Sequence, residues 1–203
     1  MKSIKFSFLI IAVILVFGSS PLKAQRSHLS LSFSPVLPLS NLKDHASWGF
    51  LSGRIGYNFD ITHNLSWNLS AAINKFGTQT VTVDIQTNAE YESDLAFIPI
   101  TTGLQYFLNI KNNRIYLMAL GGYYLPSAGF EEGDWGVSPG VGLQLPFIGN
   151  RMKLDISMVY NHVFGGTTKQ FTAYSQFGGS VTTQTWFNSI SYLTVNIGIV
   201  IGK

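Results

Sequence analysis

Apolar and polar residues alternate with a period of two along most of the chain, in eight stretches that each fit a strand of about ten residues. HLSLSFSPVL puts Leu29, Leu31 and Phe33 on one face and Ser30, Ser32 and Ser34 on the other. WGFLSGRIGYNF sets Leu51, Ile55, Tyr57 and Phe59 against Ser52, Arg54, Gly56 and Asn58. In LSWNLSAAIN, Leu65, Trp67, Leu69 and Ile73 alternate with Ser66, Asn68, Ser70 and Asn74. LAFIPITTGLQYF opposes Ile98, Ile100, Leu104 and Tyr106 to Pro99, Thr101, Gly103 and Gln105. WGVSPGVGLQL, MKLDISMVYN and SYLTVNIGIVIG repeat the pattern, with Ser138, Gln144, Lys153, Asp155, Ser157 and Asn196 on their polar faces. The fifth stretch, RIYLMALGGYY, is apolar on both faces. A slip of one residue would exchange its two sides, so its register stays open.

A soluble barrel would clothe its polar face in Lys and Glu. Here that face is Ser, Asn, Gly, Thr and Gln, groups small enough to pack inside a narrow tube. The apolar face is then the outside, in lipid, where only a closed ring of strands leaves no backbone amide unpaired. Connection lengths agree: DITHN, NIKNNR and PFIGNR are short turns that alternate with longer segments after strands one, three, five and seven. That is the rhythm of an outer-membrane barrel with short periplasmic turns and long outer loops. The expected fold is therefore all-β, an eight-stranded antiparallel up-and-down transmembrane barrel with both termini periplasmic. Pro35, Pro99 and Pro139 each lack a ladder donor and are expected near strand ends, at bulges or on the lumen face.

Aromatic residues mark the two membrane borders. Trp48, Tyr123, Trp135, Tyr160 and Trp186 fall at the outer strand ends, and Tyr57, Phe59, Trp67, Tyr106, Tyr116 and Phe147 at the inner ends. Trp48 to Phe59 spans about 36 Å of strand at ~3.3 Å per residue. A tilt of ~40° projects that to roughly 28 Å, close to an apolar band of ~25 Å.

The first residues set the compartment. MKSIK is basic and FSFLIIAVILVFG is an apolar run of signal-peptide length, too short to span a bilayer as a helix. We expect residues 1–24 to be a cleaved leader and residues 25–203 the barrel domain. Lys2, Lys5 and Lys23 leave with the leader and no acid does, so the chain's net charge of +3 falls to neutral. The basic precursor is thus no sign of nucleic-acid binding. Only 11% of the chain is charged, against ~25% in soluble domains. The absence of cysteine excludes lipoprotein anchoring, disulfides and thiolate metal sites.

The inward charges are the clearest chemistry. Arg54, Lys153 and Asp155 share the polar face, and buried charges persist only when paired. We expect a lumen network of Arg54, Gln105, Gln144, Lys153, Asp155 and Asn196 that fills the tube and precludes a general diffusion pore. TQTVTVDIQ and QFTAYSQFGGSVTTQTW keep the strand pattern beyond the membrane and are expected to form projecting hairpins, the second turning at Gly178 and Gly179. Asp84, Glu90, Glu92, Asp94, Glu131, Glu132 and Asp134 make these outer segments acidic. They are suited to solvation, to divalent-cation bridges with outer-leaflet phosphates, or to a partner surface.

A leader ending in KAQ, the Gly-aromatic pattern GRIGYNF and the closing strand TVNIGIVIGK together resemble the small outer-membrane β-barrel-domain family of Bacteroidota-type bacteria. That family is similar in architecture to OmpX and OmpA-like eight-stranded barrels, and the resemblance runs from Gln25 to Lys203. It implies an integral outer-membrane protein that contacts lipopolysaccharide and is inserted by the barrel-assembly machinery. Such proteins usually end in an aromatic residue, whereas this chain ends Ile201-Gly202-Lys203, leaving Ile197, Ile199 and Ile201 to carry that signal. Lipid A deacylases place a His and a Ser two apart in a strand, as His28 and Ser30 are here. This pair falls at the periplasmic end with no acid nearby in sequence, and a catalytic His needs an orienting carboxylate. His162 reads as an interfacial ring, and His45 and His63 as solvated. The expectation is a non-enzymatic, monomeric barrel without cofactor or metal, structural or adhesive through its outer loops. The alternatives are a lipid-modifying barrel enzyme and an accessory barrel of a secretion or transport system.

Overall fold

The computed structural model describes residues 27–84, 89–110, 113–148, 152–168, 171–174, 180–184 and 186–202. The expected leader, residues 1–24, and the Gly178-Gly179 turn lie outside the described residues.

Eight strands form an antiparallel meander. β1 comes in two pieces, Ser27–Phe33 and Val36–Leu39, and is followed by β2 (Gly53–Asp60), β3 (Leu65–Lys75) and β4 (Ala96–Ile110). β5 (Asn113–Pro126), β6 (Asp134–Ile148), β7 (Met152–Val163) and β8 (Ile190–Gly202) complete it. Each strand pairs with the next, and β8 returns to pair with both pieces of β1, His28 opposite Gly202 and Leu39 opposite Ser191. The ring is closed.

Burial is inverted relative to a soluble protein. On β3, Trp67, Leu69 and Ile73 are 39, 44 and 55% exposed, whereas Ser66, Asn68 and Ser70 are 1, 1 and 4% exposed. The same parity holds on the other strands and matches the polar and apolar faces read above. β5, left open by its sequence, turns Tyr116, Met118, Leu120 and Tyr124 inward and Leu117 outward. Its neighbours fix it: Gly142 lies opposite Tyr116 on one side and Phe107 on the other.

The prolines interrupt ladders locally. Ser34 and Pro35 divide β1, with Ser34 N–H donating to Ser52 O and Val195 N–H to Pro35 O. Pro99 is on the lumen face, and the β3–β4 ladder skips from Ala71–Ile100 to Asn74–Phe97. Pro139 departs from expectation, standing mid-strand on the outward face. Its β6–β7 ladder skips from Val137–His162 to Gly140–Val159 while the β5–β6 ladder runs through unbroken. A residue's ladder bonds point to one neighbour, so a missing N–H costs one ladder only.

Both predicted hairpins form, Gln79–Asp84 with Ala89–Ser93 and Phe171–Tyr174 with Ser180–Thr183. Phe130–Glu132, Gly166–Thr168 and Trp186–Phe187 make a small sheet at the same rim. Beneath these the mouth is sealed by an apolar core. A 3-10 turn, Ser40–Asp44, buries Leu42, which joins Phe76, Leu95, Phe97, Phe130, Phe187 and Tyr192. Phe97 stacks on Phe130 at 3.9 Å, and Phe76 meets Tyr192 edge-on at 5.2 Å.

Candidate functional site

Every second residue of the eight strands converges in the lumen beneath that core, and most are polar, beside an apolar cluster of Phe107, Tyr116, Met118, Leu120 and Val159. Arg54 donates to Asn68 Oδ1 at 3.3 Å and Ser70 Oγ at 3.0 Å. Asn68 Nδ2 donates to Asn58 Oδ1 at 2.6 Å, and Ser70 bonds Thr101 at 2.9 Å. Tyr116 O–H donates to both oxygens of Asp155, at 3.1 and 3.0 Å. Gln144 stands opposite Asp155 across β6 and β7. Asn196 accepts from Ser34 Oγ at 2.7 Å and donates to Ser157 Oγ at 3.0 Å. Nearer the mouth, Tyr124, Ser138 and Asn161 share hydrogen bonds, and Asn74 Nδ2 donates to Tyr192 O–H at 2.7 Å.

Of the six residues expected to meet in the lumen, Arg54, Gln105, Gln144, Asp155 and Asn196 line one cavity. Lys153 is half-buried at the terminal end of β7 and does not line it. Tyr116 was expected in the inner aromatic girdle and stands instead inside the tube, 2% exposed. The reason is the register of β5, which two apolar faces could not fix. Tyr124 and Tyr192 are likewise buried lumen phenols that sequence reasoning passed over, because an aromatic ring reads as lipid-facing until its hydroxyl has a buried partner.

On the outside, Tyr57, Trp67, Tyr106 and Phe147 are exposed toward the rim that carries the termini, and Phe59 is half-buried there. Trp48, Trp135, Tyr160 and Trp186 are exposed toward the loop rim, where Tyr123 is half-buried and meets Trp135 edge-on at 5.5 Å.

The four histidines fall at four places, His63 being exposed in the turn between β2 and β3. His28 does have a carboxylate, Asp60, with Nε2 to Oδ2 at 3.2 Å, supplied by β2 rather than by adjacent sequence. Ser66 Oγ donates to the other oxygen of Asp60, and Ser30 Oγ donates to Gly56 O, so Ser30 and His28 are not joined. The acid stands in the middle of that trio, which leaves no serine activated by histidine. His45, expected in solvent, is half-buried edge-on to Phe187 at 5.4 Å. His162 Nδ1 lies 2.9 Å from Ser191 Oγ, which also accepts from Tyr160 O–H at 3.0 Å. His162 stacks on Tyr160 and meets Phe164 edge-on. This group occupies the outward face at the loop rim. No three His, Asp or Glu residues gather as a metal site among the described residues.

A closed ring with an apolar exterior and a hydrogen-bonded interior has one compatible solvent, the bilayer. The chain adopts the fold of the solved Neisserial surface protein A, with a TM-score of 0.58 at 15% identity, covering 88% of this chain and 97% of that one. The chain is an outer-membrane β-barrel. A major outer membrane protein from Thermus thermophilus shares the barrel fold, with a TM-score of 0.51 at 9% identity over 89% of this chain and all of that one. No family model matches the barrel's sequence, and no curated protein matches it.

Proposed function

We infer that the barrel is a non-enzymatic, monomeric outer-membrane protein whose working surface is its long-loop rim, in a structural or adhesive role. The sealed lumen carries this reading. An apolar core closes the mouth, and the cavities below it are only about 20 Å³ each. Each of these two cavities holds about one water, which favours a filled plug, and the loops are what remains to act. In this reading the loop rim faces outward and both termini face the periplasm. Acidic residues such as Asp94, Glu131 and Glu132 are then offered to a surface partner, the outward strand faces contact lipopolysaccharide, and Ile197, Ile199 and Ile201 present the assembly signal. The leader, the GRIGYNF pattern and the closing strand favour membership of the Bacteroidota-type small-barrel family.

Planar-bilayer recording of the purified barrel tests the plug: we expect no steady conductance, and large stable channels would refute it. Co-purification from native membranes, with and without residues 171–183, tests the loop role. Loss of a partner with the hairpin is the expected result.

One observation favours a second reading, a lipid-modifying barrel. His162 and Ser191 form a serine–histidine contact on the outward face at the loop rim, where outer-leaflet lipid would lie. Lipid A mass spectra with wild-type and Ser191→Ala barrels distinguish the two. Unchanged spectra are expected, and a product lost in Ser191→Ala would establish the enzyme.

A further inference from the structure

Two cavities of about 20 Å³ lie in the lumen, one toward the mouth and one toward the terminal rim, and Arg54 and Asn196 line both. Each is large enough for about one water molecule. Among the described residues, three buried side-chain atoms have no protein hydrogen-bond partner, and two of them are Asn74 Oδ1 and Gln105 Oε1. Asn74 lines the upper cavity and Gln105 the lower. Their residues are 2 and 4% exposed, so bulk solvent does not reach those oxygens.

A buried carbonyl without a donor carries its full desolvation cost. In the lower cavity a second need coincides. Arg54 and Asp155 line the same space, yet the ion pairs within 4.0 Å among the described residues do not include them. A buried guanidinium and a buried carboxylate both require compensation.

We propose that each cavity is a specific water site, and that the lower water joins Arg54 to Asp155. A water molecule has two hydrogens and two lone pairs. In the lower site it donates to Gln105 Oε1 and the Asp155 carboxylate and accepts from the Arg54 guanidinium. In the upper site it donates to Asn74 Oδ1, whose amide nitrogen is already committed to Tyr192. Ions fit less well. Gln105 and Asp155 present oxygens that repel an anion, and Arg54 repels a cation at either site. Closed off from the loop rim by the apolar core, these waters are part of the structure and form no conduction path.

Water-to-side-chain cross-relaxation, measured by NMR on the full mature barrel in nanodiscs, tests the proposal. We expect long-lived water contacts at the side-chain amides of both Asn74 and Gln105. In Gln105→Leu the contact at Asn74 persists, and a crystal structure of this variant lacks the lower water. Folded barrel without water contacts at either amide would overturn the proposal. So would a wild-type crystal structure with Arg54 and Asp155 in direct contact, or with an ion in either cavity. If Gln105→Leu fails to fold, the wild-type crystal structure decides alone: a water within hydrogen-bond distance of Gln105 Oε1 and Asp155 supports the bridge, and its absence refutes it.

Discussion

At the scale of single residues, Tyr116 shows how one side chain can be read for the wrong side of the wall. Its ring sits in the lumen because Gly142, directly across on β6, leaves room for it. A Cβ built on Gly142 would collide with the Tyr116 ring, whose Cε1 would lie 2.7 Å away. Removing the hydroxyl in Tyr116→Phe takes from Asp155 the bifurcated hydrogen bond that reaches both its oxygens, and should lower stability by about 1–3 kcal/mol. Tyr106→Phe, on the lipid side, should change it little. Denaturant unfolding of folded barrels in detergent compares them. Gly142→Val should overpack the lumen at a cost of about 1–3 kcal/mol, read in the same assay. Residue types on the polar faces were legible from alternation, but their pairing was not. Asp155 meets Tyr116 across 39 positions of sequence, and Ser34 meets Asn196 across 162.

At the scale of elements, the eight wall strands and both hairpins were readable, the three short strands of the rim sheet were not, and the facing of every wall strand but one was legible. β5 has no polar face to declare its orientation, so pairing with β4 and β6 decides it. The observed register predicts that Leu117→Arg, on the outward face, costs roughly 2–4 kcal/mol if it lies near the bilayer midplane. If β5 were slipped by one residue, Met118→Arg would instead be the lipid-facing change. Loop-rim elements divide by packing. The hairpin Phe171–Tyr174 with Ser180–Thr183 is a two-stranded sheet separate from the ring that encloses the apolar core, so replacing it with a short Gly-Ser turn should leave a barrel that still shifts on a gel after boiling. Phe130, stacked on Phe97 within that core, is different. Phe130→Ala should cost about 3–5 kcal/mol, measured by the temperature at which the gel shift occurs.

At the scale of the molecule, closure turns eight marginal ribbons into one cooperative wall, and the plug follows from its small diameter. An unboiled sample should migrate as compact barrel on a gel and a boiled one as unfolded chain; identical bands would contradict the closed ring. The sequence by itself determined the strand number, the alternating faces and the two hairpins, because each rests on period-two patterning or local turn chemistry. Only the tertiary structure decided that β5 faces Tyr116 inward, that Asp60 reaches His28, that His162 reaches Ser191, and that Leu42, Phe76, Phe130 and Phe187 seal the mouth. Those contacts join residues from separate strands and connections, and their positions in space are fixed by barrel closure and shared burial rather than by any local periodicity.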